Sequence, residues 1–168
     1  MRIETARFES PIGGVCVATR SGRLCALGFV EQWPRLEQAL RRRLGDVELR
    51  ASDDPAAVIT RLRAYFAGDL RAVDGIAVDL EGTEFQRRVW SMLREIPCGR
   101  TSSYHDLAAA IGAPNAVRAV GAANGANPAS IVVPCHRVIG SDGGLVGYGG
   151  GIERKRWLLR HEGAQLVP

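Results

Sequence analysis

Cys135 and His136 are adjacent in the sequence, directly after an apolar run, Ile131–Val133, and a proline, Pro134. A thiolate is the nucleophilic form of cysteine, and a nearby imidazole can accept the thiol proton. Neighbouring residues in a regular strand point to opposite faces, so pairing requires a turn at Pro134 or a water molecule between the two side chains. The pair indicates nucleophilic chemistry at Cys135, although a Cys-His dipeptide is not specific by itself.

A basic imidazole needs a group that orients it. The Glu162 carboxylate, at the end of the last predicted helix, is the candidate for orienting His136. Sequence spacing alone does not show whether the two side chains meet.

The other three cysteines, Cys16, Cys25 and Cys98, form no CxxC pair with one another or with Cys135. This spacing argues against a zinc ribbon and against a thioredoxin-type site. Cys16 and Cys25 lie in apolar, strand-like surroundings and are expected to be buried packing residues. Cys98 is either a second reactive thiol or a packed one, and packing is the favoured interpretation.

A glycine-rich loop, residues 140–151, follows the Cys-His pair. It has no Walker pattern, no Lys-Ser or Lys-Thr ending and no preceding βαβ unit, so it is not predicted to hold a nucleotide phosphate. The glycines are better explained by a loop that comes close to a flat partner, with Tyr148 in its middle.

The elements that must position these residues are mainly helical. Thr83 and Gln86 form a capping-box pattern at the start of a helix that the segment 97–99 ends. Farther on, Ile131–Val133 is predicted as a buried strand and residues 152–162 as the final helix. The apolar face of the first of these helices consists of Phe85, Val89, Trp90, Leu93 and Ile96.

Two short helices between these elements resemble a helix-turn-helix. Ser103 can cap a helix over Tyr104–Ile111, and after a three-residue break Pro114 suits the first turn of a helix that runs to about Gly125. The second of the two carries small residues and one arginine, so it can approach another surface closely. Tight packing inside the protein is the alternative explanation.

The first half is predicted to be mixed α/β and gathers no catalytic residue types. Its predicted elements are a strand over 2–8, a hairpin over 13–30 with its turn at 20–23, helices over 31–44 and 54–67, and a strand or extended segment over Val73–Leu80.

The formal net charge is +4, and residues 84–168 carry the whole excess because acidic and basic residues balance over 1–83. A polyanion would therefore bind the second half, although a solvated basic face explains the same charge. No apolar run is long enough to span a membrane, and the first twenty or so residues lack a signal peptide's apolar core. We expect a cytoplasmic protein with its cysteines reduced.

Four segments together resemble the O6-alkylguanine-DNA alkyltransferase family, and the PCHRV block is that family's hallmark. The resemblance runs from Phe85 to Glu162. The first half resembles the family's variable N-terminal domain only loosely. The segments are VVPCHRVIG (132–140), RAVGAANGANP (118–128), GYGGG (147–151) and KRWLLRHE (155–162).

The resemblance implies an α/β protein with two domains. Residues 1–80 would form a small mixed α/β, ribonuclease H-like domain. Residues 81–168 would form a helical, winged-helix-like DNA-binding domain that carries the active site.

In this family the roles of the singled-out residues would be as follows. Cys135 would accept the alkyl group, His136 would activate it through a bridging water, and Glu162 would orient His136. Tyr104 would donate a hydrogen bond to the purine ring as guanine leaves. Val138, Tyr148 and Gly149 would line the pocket for the flipped base.

The resemblance also implies how DNA is held. Arg118 would enter the base stack and fill the space that the guanine leaves. Asn127 would join the helix-turn-helix to the active-site segment through backbone hydrogen bonds. The residues expected against the DNA minor groove are Ala123, Asn124, Gly125 and Ala126.

The implied function is repair of duplex DNA by irreversible transfer of an alkyl group from O6 of guanine to Cys135, once per protein molecule. No cofactor and no membrane partner are expected, and the protein is expected to be a monomer. Some relatives hold a structural zinc through N-terminal Cys and His, but no His precedes His105, so no metal is predicted. Activity on O4-alkylthymine and cooperative DNA binding stay open.

Two other functions fit parts of the pattern. A Cys-His hydrolase would turn over an ester or an amide, with loss of activity on Cys135→Ala. A lesion-binding module would bind alkylated DNA and release it unchanged, but the non-catalytic relatives lack the acceptor cysteine that is present here.

Overall fold

Four strands form the sheet of the N-terminal unit in the computed structural model, which describes residues 1–167. The strand order is β3-β2-β1-β4; β2 is antiparallel to both β1 and β3, and β4 is parallel to β1. The predicted hairpin is confirmed. Its turn residues Ser21 and Gly22 both have positive φ, 50° and 76°, as hairpin turns that match the strand twist require. The strands are β1 (Arg2–Ser10), β2 (Gly13–Arg20), β3 (Arg23–Phe29) and β4 (Glu48–Ala51).

Strand β4 was not predicted from the sequence. It has four residues, of which only Leu49 is partly buried, so it shows no alternation of apolar and polar residues. Its pairing with β1 at the edge of the sheet defines it instead.

Two helices, α1 (Trp33–Leu44) and α2 (Val58–Phe66), accompany the sheet, and both are confirmed predictions. Each follows a short 3-10 turn, and α1 ends at Gly45, which has a φ of 77°. The predicted segment Val73–Leu80 begins as turns and then becomes extended, with a single bridge between Leu24 and Val78. The core cluster between sheet and α1 consists of Ile3, Ala18, Cys25, Ala26, Leu40 and Val47.

The second unit begins at Gly82 and is mainly helical. The Thr83 hydroxyl accepts from Gln86 N and the Gln86 side chain accepts from Thr83 N, as the capping box predicts. Ser103 caps the next helix by accepting from Asp106 N at 3.0 Å. The elements are α3 (Glu84–Leu93), β5 (Ser102–Ser103), α4 (Tyr104–Ala110), α5 (Val117–Gly125), β6 (Val138–Ile139) and α6 (Ile152–His161).

Helices α3 and α5 are joined by the Trp90 indole, which donates to Ala123 O at 2.8 Å. Helix α3 ends at Leu93, before the predicted stop at residues 97–99, and buried Ile96 follows it in a turn. Strands β5 and β6 pair in parallel and bring the start of α4 beside the segment that follows the Cys-His pair.

Two predictions in this unit are wrong. Pro114 lies in a turn before α5, which begins only at Val117, so the break after α4 is longer than three residues. The run Ile131–Val133 is buried but is not a strand, since it forms turns in which Ile131 has a φ of 72°. A short apolar run predicts burial, whereas local contacts select its backbone conformation.

The predicted fold class, a mixed α/β N-terminal domain and a helical C-terminal domain, is confirmed. Among the described residues, none of the helices has the length and apolar character needed to cross a membrane.

Candidate active site

Cys135 and His136 lie in a 3-10 turn, Cys135–Arg137, that follows Pro134. Cys135 N donates to Val133 O at 2.8 Å and Arg137 N donates to Pro134 O at 3.0 Å. This turn removes the strand geometry that would send Cys135 and His136 to opposite faces. Cys135 is 6% exposed, so its thiol lies in an enclosed environment.

The structure brings Glu162 to His136. Nε2 of His136 lies 2.9 Å from Oε1 and 3.1 Å from Oε2 of Glu162, and both side chains are fully buried. Glu162 is the residue that ends α6, so the last helix of the unit delivers the carboxylate.

Arg137 was not predicted as a site residue. Its Nε and one terminal nitrogen each donate to a Glu162 oxygen at 2.9 Å, and the other terminal nitrogen donates to Ile96 O at 2.7 Å. A buried carboxylate requires a compensating cation, and that requirement points to Arg137, next to His136 in the sequence.

The pKa of Glu162 reflects both its burial and its two basic partners. Burial raises the pKa of Glu162, but His136 and the two hydrogen bonds from Arg137 outweigh burial and hold it well below its usual range. A carboxylate can only accept, so Nε2 of His136 donates to Glu162. Nδ1 of His136 is buried without a hydrogen-bond partner among the described residues, so it is the ring nitrogen that faces away from Glu162.

The groups around Cys135 shift the pKa of its thiol in opposite directions. Burial raises the pKa of Cys135, while hydrogen bonds from Asn127 and Ser130 and the charge of Lys155 oppose that rise. The thiol therefore depends on a base to become a thiolate at neutral pH.

Lys155 is a second site residue that the sequence did not single out. It is fully buried on α6, and its Nζ donates to the carbonyls of Val138, Val146 and Gly147 at 2.6, 3.0 and 3.2 Å. Burial lowers the pKa of Lys155 to about 8. The ammonium thus fixes the glycine-rich loop while placing a positive charge near Cys135.

Tyr104 is the first residue of α4, and its hydroxyl donates to Val146 O at 3.2 Å. Burial raises the pKa of both Tyr104 and Tyr148, and the charge of Cys135 acts in the same direction on both phenols. The two tyrosines and Cys135 are therefore close enough to interact electrostatically. Val138 is buried, whereas Gly149 is exposed in the loop.

The residues predicted to bind DNA separate into two groups. Arg118 and Gly125 are exposed and Ala126 is partly exposed, so these three can reach a partner. Ala123 and Asn124 are 3% and 5% exposed on the inner face of α5, so contact of these two residues with the minor groove stays a prediction.

Asn127 connects α5 to the active-site segment. Its Nδ2 donates to Val133 O at 2.8 Å, and its Oδ1 accepts from Ala129 N at 3.0 Å. Asn127 therefore forms the backbone hydrogen bonds expected of it.

The remaining cysteines do not form a site with Cys135. All four are free thiols, and Cys25 is buried as predicted. Cys16 is only partly buried, which corrects the expectation for it, and Cys98 is partly buried as well. Within residues 1–167, no group of three or more His, Cys, Asp or Glu side chains is arranged to hold a metal ion.

Comparisons with known proteins agree over both halves of the chain. The family model described as 6-O-methylguanine DNA methyltransferase, DNA binding domain, matches residues 84–164, and the ribonuclease-like domain of the same family matches residues 3–80. The methylated-DNA--protein-cysteine methyltransferase of Salmonella typhimurium is 46% identical over 99% of each chain. The protein of the same name from Mycolicibacterium paratuberculosis is 49% identical over 98% of each.

A solved structure of a similar protein shares the fold of this chain. The crystal structure of Mycobacterium tuberculosis OGT in complex with DNA superposes with a TM-score of 0.79, at 41% identity over 97% of this chain and 93% of that one. The chain therefore belongs to the 6-O-methylguanine DNA methyltransferase family.

Proposed function

We propose that this protein repairs alkylated DNA by moving an alkyl group from O6 of guanine to Sγ of Cys135, once per protein molecule. The observation that carries the proposal is the buried group of His136, Glu162 and Arg137: His136 and Arg137 directly follow the buried Cys135 in the same turn, and Glu162 lies at the end of α6. The names of the relatives support a DNA substrate and a cysteine acceptor.

His136 would generate the nucleophile. Its Nδ1 takes the Cys135 proton through a bridging water, and the Glu162 carboxylate, which Arg137 holds in place, stabilises the imidazolium that results. The thiolate then attacks the alkyl carbon, so that an S–C bond forms as the C–O6 bond breaks. Tyr104 donates a hydrogen bond to the purine ring, which stabilises the departing guanine.

The product explains why the protein would act only once. Cys135 ends as a thioether, and the groups described around it provide no way to hydrolyse that bond. Guanine is restored in the DNA, and the reaction requires no cofactor. A reduced thiol is essential, so we place the activity in the cytoplasm, with the protein acting as a monomer.

Duplex DNA containing O6-alkylguanine would be the partner. An O6 atom inside a duplex is out of reach of an enclosed thiol, so the base must be flipped out of the stack. Arg118, exposed near the start of α5, would take the place of the base, and the flipped guanine would lie against Val138, Tyr148 and Gly149. The relative solved in complex with DNA supports the duplex partner.

Intact-mass and peptide-mass measurements test the proposal directly. The protein is mixed with a short duplex that contains O6-methylguanine, and we expect one added methyl group per molecule, on the peptide that contains Cys135, with guanine restored. Cys98→Ser is the matched control and should accept the methyl group normally, while Cys135→Ser should accept none. Tight binding of the duplex by an unmodified wild-type protein would instead identify a lesion-binding module.

A further inference from the structure

The carbonyl oxygen of Val146, in the glycine-rich loop, accepts hydrogen bonds from two side chains. The Tyr104 hydroxyl, at the start of α4, donates to it at 3.2 Å, and Nζ of Lys155, on α6, donates to it at 3.0 Å. A carbonyl oxygen has two lone pairs, so these two donors use its capacity in full. Lys155 and Tyr104 are therefore linked through one shared acceptor.

The three N–H groups of the Lys155 ammonium are all engaged by backbone carbonyls. They donate to Val138 O at 2.6 Å, to Val146 O at 3.0 Å and to Gly147 O at 3.2 Å. Burial lowers the pKa of Lys155 to about 8, so the ammonium is the main form at neutral pH. Since an ammonium has three donors, none is left for a substrate atom. Lys155 can therefore act only through these carbonyls and through its charge.

The proposed chemistry requires the Tyr104 proton to change partners. In this structure the hydroxyl donates to Val146 O, whereas the departing guanine must receive that hydrogen bond during transfer. The phenol lies against the loop, since a Cβ added at Gly147 would be 4.0 Å from the hydroxyl oxygen. The bond to Val146 O, at 3.2 Å, is longer than the usual O–H···O range of about 2.5–3.0 Å, so a purine nitrogen can compete for the proton.

Lys155 lowers the free energy that this change of partner requires. A hydrogen bond from an ammonium is stronger than one from a neutral hydroxyl, and an oxygen that accepts from a cation is a poorer acceptor for a second donor. When Tyr104 turns away, Val146 O keeps its bond to Lys155 and is not left unsatisfied. Without Lys155, Tyr104 would be the donor that remains to Val146 O among the described residues, and its proton would be held more firmly.

We propose that Lys155 is a positioning residue that occupies Val146 O, so that Tyr104 can turn its proton from this carbonyl to the departing guanine. The inference rests on the proposed alkyl transfer. It gives Lys155 a role in the departure of guanine, in addition to holding the loop and placing a charge near Cys135. No covalent step is added, because Tyr104 shares its proton through a hydrogen bond.

A double-mutant cycle between Lys155→Met and Tyr104→Phe tests the link. Single-turnover rates of methyl transfer are measured on a duplex with O6-methylguanine, for the folded fraction of each variant. Once the hydroxyl is gone, only the effects of Lys155 on the loop and on Cys135 remain, so Lys155→Met should cost about fivefold less in the Tyr104→Phe background than in wild type. Equal losses in the two backgrounds would overturn the proposal. Arg156→Met, on the same helix, is the control and should keep the wild-type rate.

Iodoacetamide separates this role from the effect of the Lys155 charge on the thiol. Its reaction with Cys135 forms an S–C bond and releases iodide, which leaves without a proton, so Tyr104 is not needed. Lys155→Met should slow this reaction, read from the mass of the Cys135 peptide, because a positive charge near the thiol is lost. Methyl transfer should lose about fivefold more than this reaction does. Losses of the same size in both reactions would mean that Lys155 acts on the thiol alone, against the proposal.

Tyr104→Phe provides a test that does not depend on the folding of Lys155→Met. It removes only the hydroxyl, and Lys155 still donates to Val146 O. Amide hydrogen exchange over residues 140–151 should therefore stay within about twofold of wild type. Faster exchange would show that the loop needs the Tyr104 hydroxyl, so that turning the proton away would be unfavourable, and the role of Lys155 would be refuted.

The same experiments distinguish this inference from the function on which it rests. If the wild-type protein transfers no methyl group to Cys135, both fail. If it does and the cycle shows no coupling between Lys155 and Tyr104, only the role of Lys155 fails.

Discussion

At the scale of single residues, the site depends on charge compensation around one buried carboxylate. Glu162 accepts from both His136 and Arg137. Arg137 supplies a permanent positive charge, because a guanidinium does not lose its proton in proteins. Arg137 therefore balances the buried carboxylate and, through its hydrogen bonds, holds Glu162 against His136.

Removing the positive charge of Arg137 should lower both the free energy of unfolding and the rate of alkyl transfer. In Arg137→Met the buried Glu162 would retain only His136 as a partner, and breaking a buried pair costs about 3–5 kcal/mol of unfolding free energy. The hydrogen bonds that hold Glu162 against His136 would also be lost, so transfer should slow in the folded fraction. Denaturant unfolding and single-turnover rates measure the two effects, with exposed Arg100→Met as the control. Unchanged transfer in the folded fraction would show that Glu162 stays in place against His136 without Arg137.

Acid should also unfold the protein through Glu162. Its pKa is depressed below 4.5 in the folded state, so its contribution to stability is complete above about pH 4.5 and is lost as the pH falls toward the folded value. In Glu162→Gln this dependence should vanish, giving a flatter curve of unfolding free energy against pH. Denaturant titrations between about pH 3 and 7 would show it, and parallel curves would contradict the assignment.

At the scale of secondary structure elements, α6 organises the site from one side. Its buried Lys155 binds the carbonyls of Val138, Val146 and Gly147, and the residue that ends it is Glu162. One helix therefore fixes both the glycine-rich loop and the imidazole. The loop needs this anchor because its glycines leave its own backbone unrestricted.

Lys155→Met should make the glycine-rich loop, residues 140–151, more mobile. Three carbonyls would lose a charged donor, and each buried unsatisfied group costs about 1–3 kcal/mol. Amide hydrogen exchange should accelerate over residues 140–151, and methyl transfer should slow because the charge near Cys135 is lost. Arg156→Met, on the same helix with a partly exposed side chain, is the control. Unaltered exchange in the loop would mean that contacts other than those of Lys155 hold it.

At the scale of the whole molecule, the net positive charge lies in the second half of the chain, which also carries the candidate active site. Residues 84–168 hold the entire excess, and exposed Arg118 is on α5, whose inner face carries Asn124. Phosphate contacts explain binding to any duplex, but they do not expose O6 to the thiol. Base flipping must supply that step.

Arg118→Ala should therefore weaken repair of duplex DNA far more than reaction with free O6-alkylguanine base. Filling the vacated stack is needed only in a duplex, and losing it should slow duplex repair about tenfold or more, given unstacking energies of a few kcal/mol. Single-turnover rates on the two substrates give the comparison, with Arg100→Ala correcting for lost charge. Equal losses on both substrates would refute the intercalating role.

The sequence alone determined the elements that local chemistry controls. The capping box at Thr83, the cap at Ser103 and the turn at Ser21-Gly22 each depend on residues a few positions apart, so pattern is sufficient. The motif at Cys135 also indicated the residues proposed as the alkyl acceptor and its base. Only the tertiary structure decided what surrounds them.

Sequence patterns did not show the contacts of three residues whose partners are distant in the sequence. These residues are Arg137, Lys155 and Asn124. Arg137 binds Glu162, Lys155 binds carbonyls of β6 and the loop, and Asn124 faces the Cys135 segment. The resemblance placed Asn124 against DNA, whereas the structure shows its side chain buried on the inner face of α5, a helix of small residues. Which face of such a helix is buried depends on packing against other elements, since its own sequence has no apolar stripe to decide it.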